Sequence, residues 1–157
     1  DLFIDVVRSL TTERLKLSQW TERSTKPTSE TDLRMLLLTI ARQVLETMVQ
    51  PEYQAIARLM LAELPRFPEL GPLFRQTVPD PATRALFSLL RQGQAHGVVR
   101  QQIDLPLIGR MFFSTLLSYG VLDGLLSQTH TSRMPEAGVI ETFVDQIMAM
   151  VSTKNNG

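Results

Sequence analysis

No cysteine occurs among the 157 residues, which excludes disulfides, thiolate metal sites and cysteine nucleophiles together. A surplus of charge is also missing. Sixteen basic and sixteen acidic residues cancel, leaving no overall pull toward nucleic acid or an anionic membrane. Arg75, Arg84, Arg91, Arg100 and Arg110 are spread along the chain, with Asp80 and Asp104 among them, and form no basic block for a phosphate track. A long uncharged apolar run is lacking too. The nearest, LPLIGRMFFSTLLSYGVLDGLL at 105–126, is interrupted by Arg110 and Asp123, which leaves too few uncharged residues to cross a bilayer as a simple helix. A buried helix fits it better, and no membrane partner is expected. The first residues follow an amphipathic pattern, without the basic, apolar and small-residue zones of a secretory leader.

What is present is a succession of apolar stripes at helical spacing. Leu2, Phe3, Val6, Val7, Leu10, Leu15, Leu17 and Trp20 predict a helix from Asp1 to about Arg23. Ser29 and Asp32 form a capping pair, and the helix they open runs to about Val49 with Leu33, Leu37, Ile40, Val44 and Met48 inward. Pro51 opens a third helix, ending near Pro65. Pro65 and Pro68 make a rigid corner around Arg66 and Phe67, and a short element follows at 69–77. Asp80 is expected to cap the next helix through Pro81, and Gly93 and Gly97 allow it to end. Asp104 and Pro106 mark the start of a helix over 105–126 that is apolar on more than one side, and Pro135 opens the last one. The residues after Val151, 152–157, read as a polar tail. Without strand alternation or a repeat, the expected fold is all-α, about six helices in one domain over 1–157, with a single substantial core.

Catalytic and metal chemistry find little support. Phosphate-loop and dinucleotide fingerprints are absent, His96 and His130 stand apart without an HExxH pattern, and Ser114 and Ser118 lack a matched base. No cofactor, metal or catalytic residue is expected, and the protein is read as a non-enzyme. Glu63, on an apolar helix, either solvates that helix and pairs with an arginine or recognises a polar ligand group. Trp20, Tyr53, Met60, Phe87, Phe112 and Tyr119 are either plain core or, with Glu63, the lining of a small-molecule pocket between helices. Gly120 and Gly124, four apart, permit close backbone approach, within one subunit or across a homodimer seam. The broad apolar arcs near the C-terminus suggest a second copy as the partner.

The run MLAELPRFPELGPLF at 60–74 resembles the ligand-binding half of TetR/AcrR-type transcriptional regulators, where a leucine/alanine helix leads into a PRFPEL-like corner. DLFIDVV at 1–7 is similar to the start of their linking helix, and QGQAHGVVRQQIDLPLIGRMFFSTLLSYGV to the segment entering the first dimerisation helix. The resemblance covers about 1–151. It implies a cytoplasmic homodimer whose seam lies mainly in 105–151, with Phe113, Leu117, Gly120, Val121, Gly124, Val139, Phe143 and Ile147 at the interface. It also implies a small, mostly apolar effector enclosed by the earlier helices. Pro65, Arg66, Phe67, Pro68, Glu69 and Leu70 match the corner motif, while Leu2 and Phe3 match the linking helix. The family's helix-turn-helix head does not appear before DLFIDVV, so operator DNA is expected to be reached only through a head missing from this chain. Truncation is favoured over a natural head-less protein. Two other readings share the helices: a non-regulatory dimerisation scaffold with a filled interior, and a small helical enzyme using Glu63 or His96.

Overall fold

The computed structural model describes residues 2–14, 26–126, 133–136 and 138–155. Among these residues seven α-helices follow one another: α1 (Leu2–Arg14), α2 (Glu30–Met48), α3 (Pro51–Glu63), α4 (Leu70–Arg75), α5 (Pro79–Ala95), α6 (Leu105–Gly120) and α7 (Val139–Val151). A π-helical turn, Val121–Leu125, continues α6. No strand occurs among the described residues, only one isolated bridge between Val99 and Ser152.

Local chemistry sets most boundaries. At α2 the Ser29 Oγ accepts from the Asp32 amide at 3.1 Å and the Asp32 carboxylate accepts from the Ser29 amide at 3.1 Å, so the short aspartate does reach back. Pro51 occupies the first turn of α3, and Asp104 caps α6 by accepting from the Leu107 amide at 3.0 Å. Two starts differ from expectation. α5 begins at Pro79 with Val78 as its cap, so Asp80 already lies inside the first turn and pairs with Arg75 at 3.1 Å. α7 begins after Gly138, whose φ of 92° only glycine adopts freely, and not at Pro135.

The larger core centres on α2. Leu33, Leu37, Ala41, Val44, Leu45 and Met48 are buried along it and pack toward Leu86 and Leu90 of α5, Phe112 and Leu116 of α6, and Val144, Ile147 and Val151 of α7. Each large apolar side chain buried this way contributes roughly 1.5–3 kcal/mol. The Phe112 ring lies 5.5 Å from Phe113 edge-on and 5.3 Å from Phe143, tying α6 to α7. Two ion pairs fix the antiparallel register of α2 on α7: a forked Arg34–Asp145 pair, at 2.7 Å and 3.3 Å, and Arg42–Glu141.

The residues after α7 are more than a polar tail. Arg100 N donates to Val151 O at 2.9 Å and Thr153 N to Val98 O at 3.1 Å, while Ser152 is buried and its hydroxyl meets Glu30. Arg100 also donates from its guanidinium to the Ala149 and Met150 carbonyls, satisfying the open end of α7. Gly93 lies beneath this clasp, where an added Cβ would stand 2.5 Å from Val99 Cγ2. A bulkier residue would lift the turn off α5.

A second, smaller core joins α1 to α3 and α4. Ile4, Val7, Met60, Leu70 and Leu73 are buried in it, with Phe3, Leu64 and Phe67 packed around them. Ile56 and Phe74 border both cores.

Candidate functional site

The corner at 65–70 is built from α3 outward. The Arg66 and Phe67 amides both donate to Glu63 O, at 2.9 Å and 3.0 Å, closing the end of the helix before Pro68 forces a change of direction. Leu70 N then donates to Phe67 O at 3.0 Å, so the turn is tight enough to present Phe67 sideways. Its ring lies 5.0 Å from Phe3 of α1, and the Arg66 guanidinium lies over the same ring, 5.5 Å from its centre. Pro65, Pro68 and Glu69 stay exposed, whereas Leu70 is buried beside Ile4 and Val7. Thus the corner motif forms a seat for α1.

Of the residues read as a pocket lining, those described are divided between the two cores and the helix surfaces. Tyr53 and Phe112 are buried in the larger core and Tyr119 packs against it, whereas Met60 is buried in the smaller core. Burial pushes the Tyr53 hydroxyl above its ordinary pKa, an effect partly offset by its hydrogen bond with Thr77. The phenol is therefore neutral and already partnered. Glu63 is half-buried and pairs with Arg66 at 3.6 Å, a structural role at the corner. Phe87 is half-buried between α5 and α6, close enough to Gly109 that a Cβ there would lie 2.7 Å from its ring. Trp20 lies outside the described residues.

The residues read as a dimer seam divide by face. Leu117 is exposed, and Phe113, Val121, Val139 and Phe143 are half-buried. Gly120, Gly124 and Ile147 are buried within the single chain instead. Gly120 is where Met48 crosses α6: an added Cβ would be 2.2 Å from Met48 Cε and 3.3 Å from Met48 Cβ. At Gly120 the close approach is therefore made by Met48 of the same chain. Leu107, Met111, Leu122 and Leu126 are exposed along α6 and the π-turn, as Leu117 is, and were not among the expected seam residues. The run Leu105–Leu125 is long and apolar enough to span a bilayer by length and composition, but Ile108, Phe112 and Leu116 along it are committed to the core.

Two polar residues that the sequence did not flag sit on one face of α3, four apart. Gln54 is only 4% exposed, and its Nε2 donates to Met48 O and, at 3.4 Å, to Gly120 O. Arg58 donates from Nε to Leu125 O at 3.2 Å and from a terminal nitrogen to Gly124 O at 3.4 Å. The signal was present in the sequence as a glutamine next to Tyr53 and three residues before Ala57, on a helix whose stripe is otherwise apolar. Among the described residues no group of three or more His, Asp or Glu could hold a metal ion. His96 is exposed at the end of α5, and His130 lies outside the described residues. What the arrangement offers is packing, one buried polar contact point and an open apolar face.

Three comparisons bear on identity. No curated protein matches the chain. Among solved structures, a putative TetR-family transcriptional regulator from Mesorhizobium loti MAFF303099 superposes with a TM-score of 0.62 at 20% identity, over 95% of this chain and 67% of that one. At that identity the likeness speaks for the fold alone. Residues 35–151, well over half of the chain, match the family described as AefR-like transcriptional repressor, C-terminal domain. The chain thus belongs to the TetR-type regulators, as a C-terminal domain of the AefR-like kind.

Proposed function

We propose that the chain is the effector-sensing and homodimerising body of a TetR-type transcriptional regulator, with DNA reading left to a helix-turn-helix head outside this sequence. The observation that carries this reading is an apolar face left uncovered beside a core that is complete without it. Leu107, Met111, Leu117, Leu122 and Leu126 are 40–65% exposed, while the opposite side of α6 is fully packed. Large apolar side chains exposed in this number along one helix mark an interface, and a second copy bringing the same face gives a self-complementary two-fold contact. Phe113, Phe143 and Val139 border that face in the proposal; Gly120, Gly124 and Ile147 support it from within.

The sensing half of the proposal rests on α1. That helix is seated on α3 and α4 through a separate small core, so a mostly apolar molecule that favours one setting of α3 would also favour one setting of α1. Two α1 helices in a dimer would then alter the spacing of two DNA-reading heads. No catalytic step enters this mechanism.

The dimer is tested by sedimentation equilibrium on the chain and on Leu117→Glu. The wild type is expected to be dimeric at micromolar concentration, and the variant monomeric with unchanged helix content, because a charge buried without a partner costs several kcal/mol. A monomeric wild type, or a dimer indifferent to Leu117→Glu, would remove the reading.

A further inference from the structure

Gln54 Oε1 is buried and has no hydrogen-bond partner, in a residue whose Nε2 is held by two carbonyls. The amide orientation is fixed by those carbonyls, since the reverse assignment would set an oxygen against two oxygens. A buried acceptor without a donor costs roughly as much as a lost hydrogen bond, so a donor brought from outside the chain would relieve that cost. The surroundings narrow that use. Met48 O, Gly120 O, Gly124 O and Leu125 O all lie at this junction of α3 with the π-turn, and the donors facing them are Gln54 Nε2 and Arg58. π-helical turns recur at functional sites, and here the turn brings backbone carbonyls to the polar face of α3.

We infer that Gln54 Oε1 is the polar recognition point for the effector, and that the effector is an uncharged, largely apolar molecule carrying one hydroxyl or N–H donor. This rests on the effector-binding reading above and adds the chemistry of the ligand to it. With those carbonyls engaged, Oε1 is the acceptor left over, so the junction selects a donor. A cationic donor would stand beside the Arg58 guanidinium, and an anion would face the row of carbonyls, so a neutral group fits both neighbours. Met48, whose thioether end lies over Gly120, is an adaptable side chain able to repack around an apolar body. Tyr53 does not compete, because its hydroxyl is engaged with Thr77.

The test uses two probes that differ in a single donor, 1-naphthol and its methyl ether 1-methoxynaphthalene, titrated calorimetrically into the chain and into Gln54→Leu. In the wild type the naphthol is expected to bind about tenfold more tightly than the ether, the worth of one hydrogen bond to a buried acceptor. In Gln54→Leu that ratio is expected to fall to about one, and because it compares two ligands on one protein, a general loosening of the fold cancels. If Gln54→Leu does not fold, the Gln54 side-chain amide resonances of the wild type replace it: the naphthol should move them and the ether should not. Equal binding of both probes to the wild type, or a ratio that survives Gln54→Leu, overturns the donor requirement and leaves an apolar effector site standing. It would mean that an ordered water satisfies Oε1. Binding of neither probe overturns this inference and the effector-binding reading together.

Discussion

The two cores of this domain are made of the same side-chain chemistry but differ in how they are held. The larger has reciprocal capping at Ser29, a forked ion pair between α2 and α7, and a clasp that straps Ser152 and Thr153 to the 97–100 turn. The smaller holds α1 by Ile4, Val7 and Phe3 on the corner formed by Phe67 and Leu70. Few buried apolar contacts mean a low local opening free energy, so α1 is the element that can shift while the body keeps its shape. The proposed function would use that asymmetry: a sensor as rigid as its support would transmit nothing, and one as loose as α1 throughout would not hold a second copy.

The sharpest way to break the comparison is Phe112→Ala. Phe112 is fully buried at the meeting of α6 and α7, against Phe143, so truncation leaves a cavity lined by α2, α6 and α7 side chains. The expected loss is about 3–5 kcal/mol in the free energy of unfolding, read from urea denaturation. A loss below about 1 kcal/mol would mean that the larger body collapses around the hole and is not the rigid partner.

Much of this asymmetry was legible in the sequence, and the exceptions have physical causes. Ser29 with Asp32, Pro51, and Asp104 with Pro106 are local signals, satisfied by neighbours in sequence, and they set the starts of α2, α3 and α6 where expected. Asp80 has an equally good local signal, but Pro79 and the chance to pair with Arg75 moved the start of α5 two residues earlier. The 105–126 segment carries apolar residues on every side, so periodicity could not tell which face turns inward; Met48 settles it by taking the space over Gly120. Gln54 and Arg58 were missed for a related reason. Their role depends on backbone carbonyls more than 60 residues away, brought there by a π-turn that no local pattern announces.

A smaller effect should appear in the other core. Phe67→Ala removes the ring on which Phe3 rests, yet Phe67 is only half-buried and packs against the smaller core. Loss of the aromatic contact is worth about 1 kcal/mol, which corresponds to roughly fivefold faster amide exchange. That acceleration should be confined to α1, measured by hydrogen–deuterium exchange, with α2 and α5 unchanged. Exchange that accelerates equally throughout would merge the two cores into one cooperative unit.

The smallest effect expected is acid sensitivity, and it should fall on the opposite side of the comparison. The Arg34 hydrogen bond holds Asp145 below the ordinary carboxylate range. At Glu141 the main cause of a lowered pKa is a backbone hydrogen bond at its own position near the start of α7, followed by the Arg42 side chain. Carboxylates held low in the folded state stabilise it above their unfolded pKa, and that share is lost as pH falls through the folded values. With ordinary values of 3.8 and 4.5, the window therefore opens near pH 4 and extends below it. Both pairs are exposed, so replacing Arg34 and Arg42 by Met should lower Tm at pH 7 by no more than about 2 °C. The gap between variant and wild type should narrow as pH drops below about 4, since protonation removes from the wild type what the substitutions already removed. Exchange of α1 should not distinguish the two proteins at either pH. A gap independent of pH would assign the loss to the packing of the arginine stems on α7, and the register of the larger body would then owe nothing to charge.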